Sequence, residues 1–312
     1  MKMPAIALTV LVALGSTALA QQRSGPFTIA ESGAGYGSLA DAVNAIGAGT
    51  GTIVIAPGTY RDCAVQLGGT ITYRAATPGT AVFDGGICEE KAALVLRGRA
   101  ARVEGIVFQN MRVPDGNGSG IRLEQGDLDV TNAMFRNSEE GILTHDDPAH
   151  AIRIDQSTFQ RLGRCDRDLS CAHSIYVGHY GSLTVTRSRF EAGNGGHYVK
   201  SRANRVKIDD NSFDDSKGRL TNYMIDLSNG SAGAITGNEM VQGKDKDNWS
   251  AFITVAPEGR ERDSSALSVS GNSASFAPGI QRQSTFVANW TDDAVRIGQN
   301  KLAAGVKITD RR

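Results

Sequence analysis

The sequence predicts an all-β protein built as a parallel β-helix, on three observations: a repeated phrase, its spacing and the near absence of helical periodicity. The phrase is an alternating apolar segment, a small polar residue, then Phe. It ends at Phe108, Phe135, Phe159, Phe190 and Phe213, with a degenerate copy ending at Met240. The steps between these residues are 27, 24, 31, 23 and 27. Self-similarity at such a period marks a solenoid. Each unit is too small to bury its own apolar face, and stacked units bury it continuously. Alternation sends successive side chains to opposite faces, so Phe and Ile are expected in internal columns.

Residues 1–20 read as a targeting segment, with Lys2, an apolar run over 5–14 and small Ala18 and Ala20 before Gln21. Its removal and export to the periplasm or the exterior are expected. The run is too short to span a bilayer, and no later segment is apolar enough, so no membrane insertion is expected.

Residues 21–60 are the expected N-terminal cap and entry strand. Apolar positions 39, 42, 43 and 46 give a short amphipathic helix. A strand and turn follow, closing on Pro57-Gly58-Thr59-Tyr60. A helix over the open end would shield strand edges from aggregation. This stretch resembles the pectate-lyase-like superfamily, pectin methylesterases included, which commonly begins with such a helix and a Pro-Gly-Thr-Tyr entry. The resemblance implies a right-handed parallel β-helix over nearly the whole mature chain.

From 61 to about 302 the spacing predicts eight or nine coils, with a polar tail at 303–312. A second strand precedes each phrase, as in Gly120-Ile-Arg-Leu, His173-Ser-Ile-Tyr, His197-Tyr-Val-Lys and Tyr223-Met-Ile-Asp. Long polar insertions at 111–119, 144–151, 161–172, 214–222 and 242–249 would wall one face of the column. The 37 glycines fit many turns.

The 33 basic and 33 acidic residues cancel, which argues against a nucleic-acid partner. A neutral total still allows a local basic groove for an acidic polysaccharide. A monomer is expected. Four cysteines in an exported chain allow three pairings. Cys63 with Cys88, about one coil apart, and Cys165 with Cys171, closing a small loop, are the favoured ones. The chain has no Cys-x-x-Cys, so a zinc or redox site is not expected.

Polar residues concentrate in the middle coils. Aligning the second strands on Ile175, Val199 and Ile225 puts Tyr176, Lys200 and Asp226 in one column. His173, His197 and Tyr223 fall in another, and Arg202 shares the face of Lys200. With strands about 4.8 Å apart, the first column is about 10 Å long. Such a set suits β-elimination of a uronate polymer, which needs a base, a cation on the carboxylate and an acid for the leaving oxygen. Arg202 would grip the carboxylate in a fork. Lys200 would be the base if burial and Arg202 depress its pKa. Tyr176 or His197 would be the acid, and Asp226 would orient Lys200 or bind a cation. Uronate epimerisation would use the same proton abstraction. The alternative is a solvated Lys200–Asp226 ion pair of little worth, with His173 and His197 turned inward beside Ile175 and Val199.

His145-Asp146-Asp147-Pro148-Ala149-His150 is a second candidate cluster, whose two adjacent acids with flanking histidines would bind a divalent cation such as calcium or supply hydrolytic carboxylates, the alternative being a surface turn ended by Pro148. His145, His173, His179 and Tyr223 are candidate substrate-binding residues, and no cofactor is otherwise required. Trp249 is a candidate sugar-stacking platform. Asp146-Asp147 followed by His173 and Lys200-Ser-Arg202 resemble polygalacturonase-type glycoside hydrolases. The Asn-Thr-Asp segment of those enzymes is absent, and their Arg-x-Lys order is reversed. The Arg-x-Pro-x-x-Arg of pectate lyases and the Asp-Phe-Ile-Phe-Gly of pectin methylesterases are also missing. The expected function is therefore a carbohydrate-active lyase or epimerase. A glycoside hydrolase and a non-catalytic polysaccharide-binding or envelope protein are the alternatives.

Overall fold

The computed structural model describes Met1 and residues 25–312. The targeting segment expected at 1–20 therefore lies, Met1 apart, outside the described residues. Three long parallel sheets run the length of the molecule, two of 10 strands and one of 12. The larger sheet gains its extra strands from Phe27–Ile29 and Gly35–Tyr36, which join antiparallel at one end. Each coil contributes one strand to each sheet, so the architecture is a parallel β-solenoid with one short helix.

The repeated phrase is two strands and a bend. In one coil Asp127–Thr131 lies in the first sheet and Met134–Arg136 in the second. Between them Asn132 has a positive φ of 52°, and Gln156, Arg187 and Asp210 hold the equivalent left-handed position. Gly105, Gly237 and Gly271 occupy it in other coils at no steric cost. The next small polar residue binds the coil beyond it. The backbone N–H of Ser188 donates to Asn211 Oδ1, that of Asn211 to Asn238 and that of Asn238 to Asn272, at 2.9–3.0 Å. This ladder satisfies turn N–H groups that would otherwise be buried and unpaired.

Inside the column, Phe83, Phe108, Phe135, Phe159, Phe190 and Phe213 stack with centroids 5.7, 5.1, 4.9, 4.8 and 4.8 Å apart. Each such pair adds about 0.5–1.5 kcal/mol beyond its buried area. Helix Leu39–Ile46, capped by the Ser38 hydroxyl accepting from Asp41 N at 3.1 Å, adds Leu39, Ala42 and Val43 to the same core. Cys63–Cys88 and Cys165–Cys171 are both disulfide-bonded. No helix among the described residues is long and apolar enough to cross a membrane.

The coils differ from the expected limits at both ends. The first begins at Thr50–Ile55, ahead of residue 61. Residues 303–312 hold strand Val306–Arg311, which pairs with Ser284–Asn289. Its alternation of charged and apolar residues reads as a tail because, as the terminal strand, it has a neighbour on one side only. The insertion expected over 144–151 is largely strand Asp147–Asp155, accommodated by a register shift against the next coil.

Candidate active site

The third sheet carries the polar columns. Its register aligns Ile142, Ile175, Val199, Ile225 and Ile253, all fully buried. One residue further along, Arg122, Leu143, Tyr176, Lys200, Asp226 and Thr254 form the outward column. Tyr176, Lys200, Arg202 and Asp226 thus lie together on one face.

Lys200 is the centre of this group and is nearly sealed, with 5% of its surface exposed. Its Nζ lies 3.1 Å from Asp226 Oδ2 and is also bonded to Glu258 Oε1. Asp226, 1% exposed, accepts from Ser228 Oγ at 2.9 Å and Thr254 Oγ1 at 2.8 Å. A buried carboxylate with this many donors is satisfied and rigid. Arg202 donates from Nε to the Tyr176 hydroxyl at 3.1 Å, and from its other nitrogens to Asn229 and Glu258. Both cations also sit over the Tyr176 ring, at 5.5 and 5.7 Å from its centroid. Glu258 therefore bridges Lys200 and Arg202 with its two carboxylate oxygens. Its side chain is 42% exposed.

The electrostatics reverse one expectation. Burial alone would lower the Lys200 pKa, but Asp226 and Glu258 outweigh it and hold the ammonium above its ordinary value. In this arrangement Lys200 is a fixed cation, and the depressed pKa that a lysine base requires is not met. Burial opposes ionisation of Glu258, yet Lys200 and Arg202 keep its carboxyl below the usual range. Burial, followed by the Lys200 charge, pushes His197 down to about 3. His173 is driven in the same direction, well below the ordinary imidazole value. Both rings are neutral at physiological pH.

His173, His197 and Tyr223 stack as aligned, with ring centroids 5.0 and 5.5 Å apart. His173 Nδ1 accepts from His197 N at 2.9 Å, and His197 Nε2 lies 3.5 Å from Asp226. Tyr223 is buried, and its hydroxyl accepts from Asn248 Nδ2 at 2.7 Å. None of the three lines the neighbouring cleft. They stand beside the polar column, with His173 edge-on to Tyr176 at 5.4 Å and His197 against Asp226.

That cleft has a volume of about 430 Å³ and runs along the column axis from Asn117 and Arg122 to Tyr176, His179 and Arg202. The insertions at 111–119 and 161–172 supply Asn117, Ser170 and Cys171 to its walls. His145, Asp146 and His179 form its other rim. A Cβ on Gly178 would fall 2.6 Å from the His145 carbonyl oxygen, so only glycine admits this close approach.

Three placements differ from the sequence expectations. Asp146 and Asp147 do not converge: Asp146 pairs with His179 at 3.0 Å, and Asp147 pairs with His150 at 2.7 Å and accepts from Gly126 N. They sit at consecutive positions where the chain turns into a strand, so their oxygens are taken by different partners. Among the described residues no group of three or more His, Cys, Asp or Glu could hold a metal ion. Trp249 is half exposed, stacks with the Arg282 guanidinium at 5.6 Å and stands outside the cleft.

Sequence reasoning missed Glu258, Glu140 and Arg122. Glu140, 1% exposed, accepts from His173 N at 3.1 Å through one oxygen and leaves the other without a partner. Burial pushes its carboxyl well above the usual range. A raised carboxyl pKa adds stability below about pH 4.5, and that contribution is lost as pH rises through the folded value. Glu140→Gln, neutral at every pH, is therefore expected to raise the melting temperature near neutral pH by roughly 2–4 °C, the shift of about 1 kcal/mol at this size. Little change is expected at about pH 4. Melting curves at the two pH values check this, and equal curves at neutral pH would remove the case for a strained carboxyl.

No family model and no curated protein matches the sequence. Among solved structures, the PL6 family alginate lyase AlyGC aligns with a TM-score of 0.51 at 17% identity, over 81% of this chain and 36% of that one. An arginine-to-alanine variant of the same lyase gives 0.51 at 16% identity over the same shares. ORF18 of Geobacillus virus E2 aligns at 0.46 and 13% identity, over 86% of this chain and 57% of that one. The chain thus spans little more than a third of the length of the alginate lyase, and at these identities the likeness is one of fold. The stacked parallel sheets and this likeness together give the chain a parallel β-helix fold, like that of the PL6 alginate lyase.

Proposed function

We propose that the chain is a polysaccharide lyase acting on an acidic, uronate-containing polymer. The observation that carries this reading is one carboxylate, that of Glu258, bridging Lys200 and Arg202, the second of which lines the cleft. A substrate carboxylate would take the same place. The two cations would then stabilise the negative charge that develops on it as the proton on the adjacent carbon leaves. Tyr176, which lines the cleft with its hydroxyl against Arg202, is the group placed to move that proton to the departing glycosidic oxygen. The C–H and C–O bonds break and a C=C bond forms, so no oxidant or reductant is needed. Asp226 anchors Lys200, and the neutral histidine stack keeps water from the back of the site.

The lyase reading agrees with the activity of the PL6 family alginate lyase, and alginate is one polymer to test. Export belongs to the same reading, because two disulfides form in an oxidising compartment. Helix Leu39–Ile46 is read as closing the open end of the first coil. A panel of alginate, polygalacturonate and other uronate polymers tests the proposal through the ultraviolet absorbance of the unsaturated product. New reducing ends without that absorbance would point to a hydrolase. Binding with neither signal would point to a non-catalytic polysaccharide-binding protein, the reading favoured by the near-complete burial of Lys200.

If Glu258 stands where the substrate carboxylate binds, it competes with substrate. Glu258→Gln is then expected to tighten binding of an acidic oligosaccharide about tenfold, as the loss of a resident competitor does. Titration calorimetry reads this directly. Unchanged or weaker affinity would mean that Glu258 belongs to the fixed scaffold.

A further inference from the structure

Beyond the Lys200–Arg202 pair, the far end of the cleft holds two side chains that each bury a polar atom without a hydrogen-bond partner. Arg122 makes no hydrogen bond or ion pair among the described residues, and its Nε is buried without a partner. Glu140, one coil on, buries an unpartnered Oε2 in the same wall. Both line the cleft that ends at Tyr176 and Arg202. Arg164, close by, behaves otherwise: it is buried and bonded to Asp166 and to the Ser170 carbonyl. The Arg122 guanidinium is attracted by the Glu140 carboxyl but has no hydrogen-bond acceptor, so part of its lost hydration is unreplaced and its position in the cleft wall points to a ligand.

The register sets the distance. Arg122 stands in the same outward column as Tyr176 and Lys200, three strands before Lys200. At about 4.8 Å per strand that is roughly 14 Å. No single sugar ring spans it, and an extended oligosaccharide along the axis does.

We propose that Arg122, with Glu140 beside it, forms a distal subsite that binds a second carboxylate of the polymer, several sugars from the one held by Lys200 and Arg202. Arg122 takes the carboxylate in its fork, and the free oxygen of Glu140 meets a ring hydroxyl. The inference rests on the lyase reading for its ligand class and adds a length requirement to it: short oligouronides reach only one cationic site, whereas longer ones reach both.

The test is the affinity of Arg122→Gln, Arg122→Lys and the parent protein for oligouronides of increasing length, by calorimetry. For oligomers long enough to span the cleft, Arg122→Gln is expected to bind about tenfold more weakly, the scale of one charge-assisted contact. For the shortest oligomers no difference is expected. Arg122→Lys is expected to recover part of the loss. An equal loss at every length, or none at any, overturns the subsite. If the parent binds no oligouronide at all, the lyase reading itself fails, a result distinct from both. Melting curves of the variants exclude a folding defect as the cause of lost affinity.

Discussion

Arg202→Ala is expected to lower turnover of a uronate polymer by roughly a hundred- to thousandfold, the usual loss when one donor to a developing anion is removed. Its melting temperature is expected to fall by only a few degrees. Tyr176 lines the cleft and Glu258 keeps its bond to Lys200, so the loss falls on buried Asn229, whose Oδ1 is left without its donor. Arg202→Lys separates charge from geometry. Lysine keeps the cation but cannot donate to Tyr176 and to a carboxylate from one planar fork. If the fork matters, the lysine variant falls close to alanine in kcat while retaining more of the affinity. Initial rates followed by product absorbance, with a melting curve for each variant, provide the reading. Turnover within a few-fold of the parent in Arg202→Ala would falsify the assignment of the anion site to this pair.

The column itself was legible in the sequence because strand periodicity is strict. Once Ile175, Val199 and Ile225 are aligned, Tyr176, Lys200 and Asp226 must share a face, and the register has them paired. Arg122 was legible by the same rule, since it follows Ile121 as Lys200 follows Val199. Glu258 could not be found that way. It lies in an irregular segment after strand Ala251–Val255, outside any repeat position, and meets Lys200 and Arg202 only because the chain folds back over them. Glu140 reads as the polar start of a strand; only burial by the neighbouring coil makes its chemistry unusual. The direction of the Lys200 pKa was also beyond sequence, because it depends on two carboxylates 26 and 58 residues away.

The second large effect concerns the buried pair beneath the site. Lys200→Met is expected to destabilise the fold by about 3–5 kcal/mol, since it leaves the Asp226 carboxylate sealed without its counter-ion. Lys200→Met combined with Asp226→Asn is expected to recover most of that loss. Asparagine is neutral, and Ser228 and Thr254 can reverse their hydroxyl hydrogen bonds to suit it. The difference between the double variant and the sum of the singles gives the coupling, about 2 kcal/mol or more for a contact of this kind. Denaturant midpoints at unchanged slope supply the numbers. The same set of proteins separates support from chemistry. If Lys200 only neutralises Asp226, the double variant regains both stability and turnover. If its ammonium also faces the substrate carboxylate, stability returns and turnover does not, because no repair of the interior can restore the missing charge.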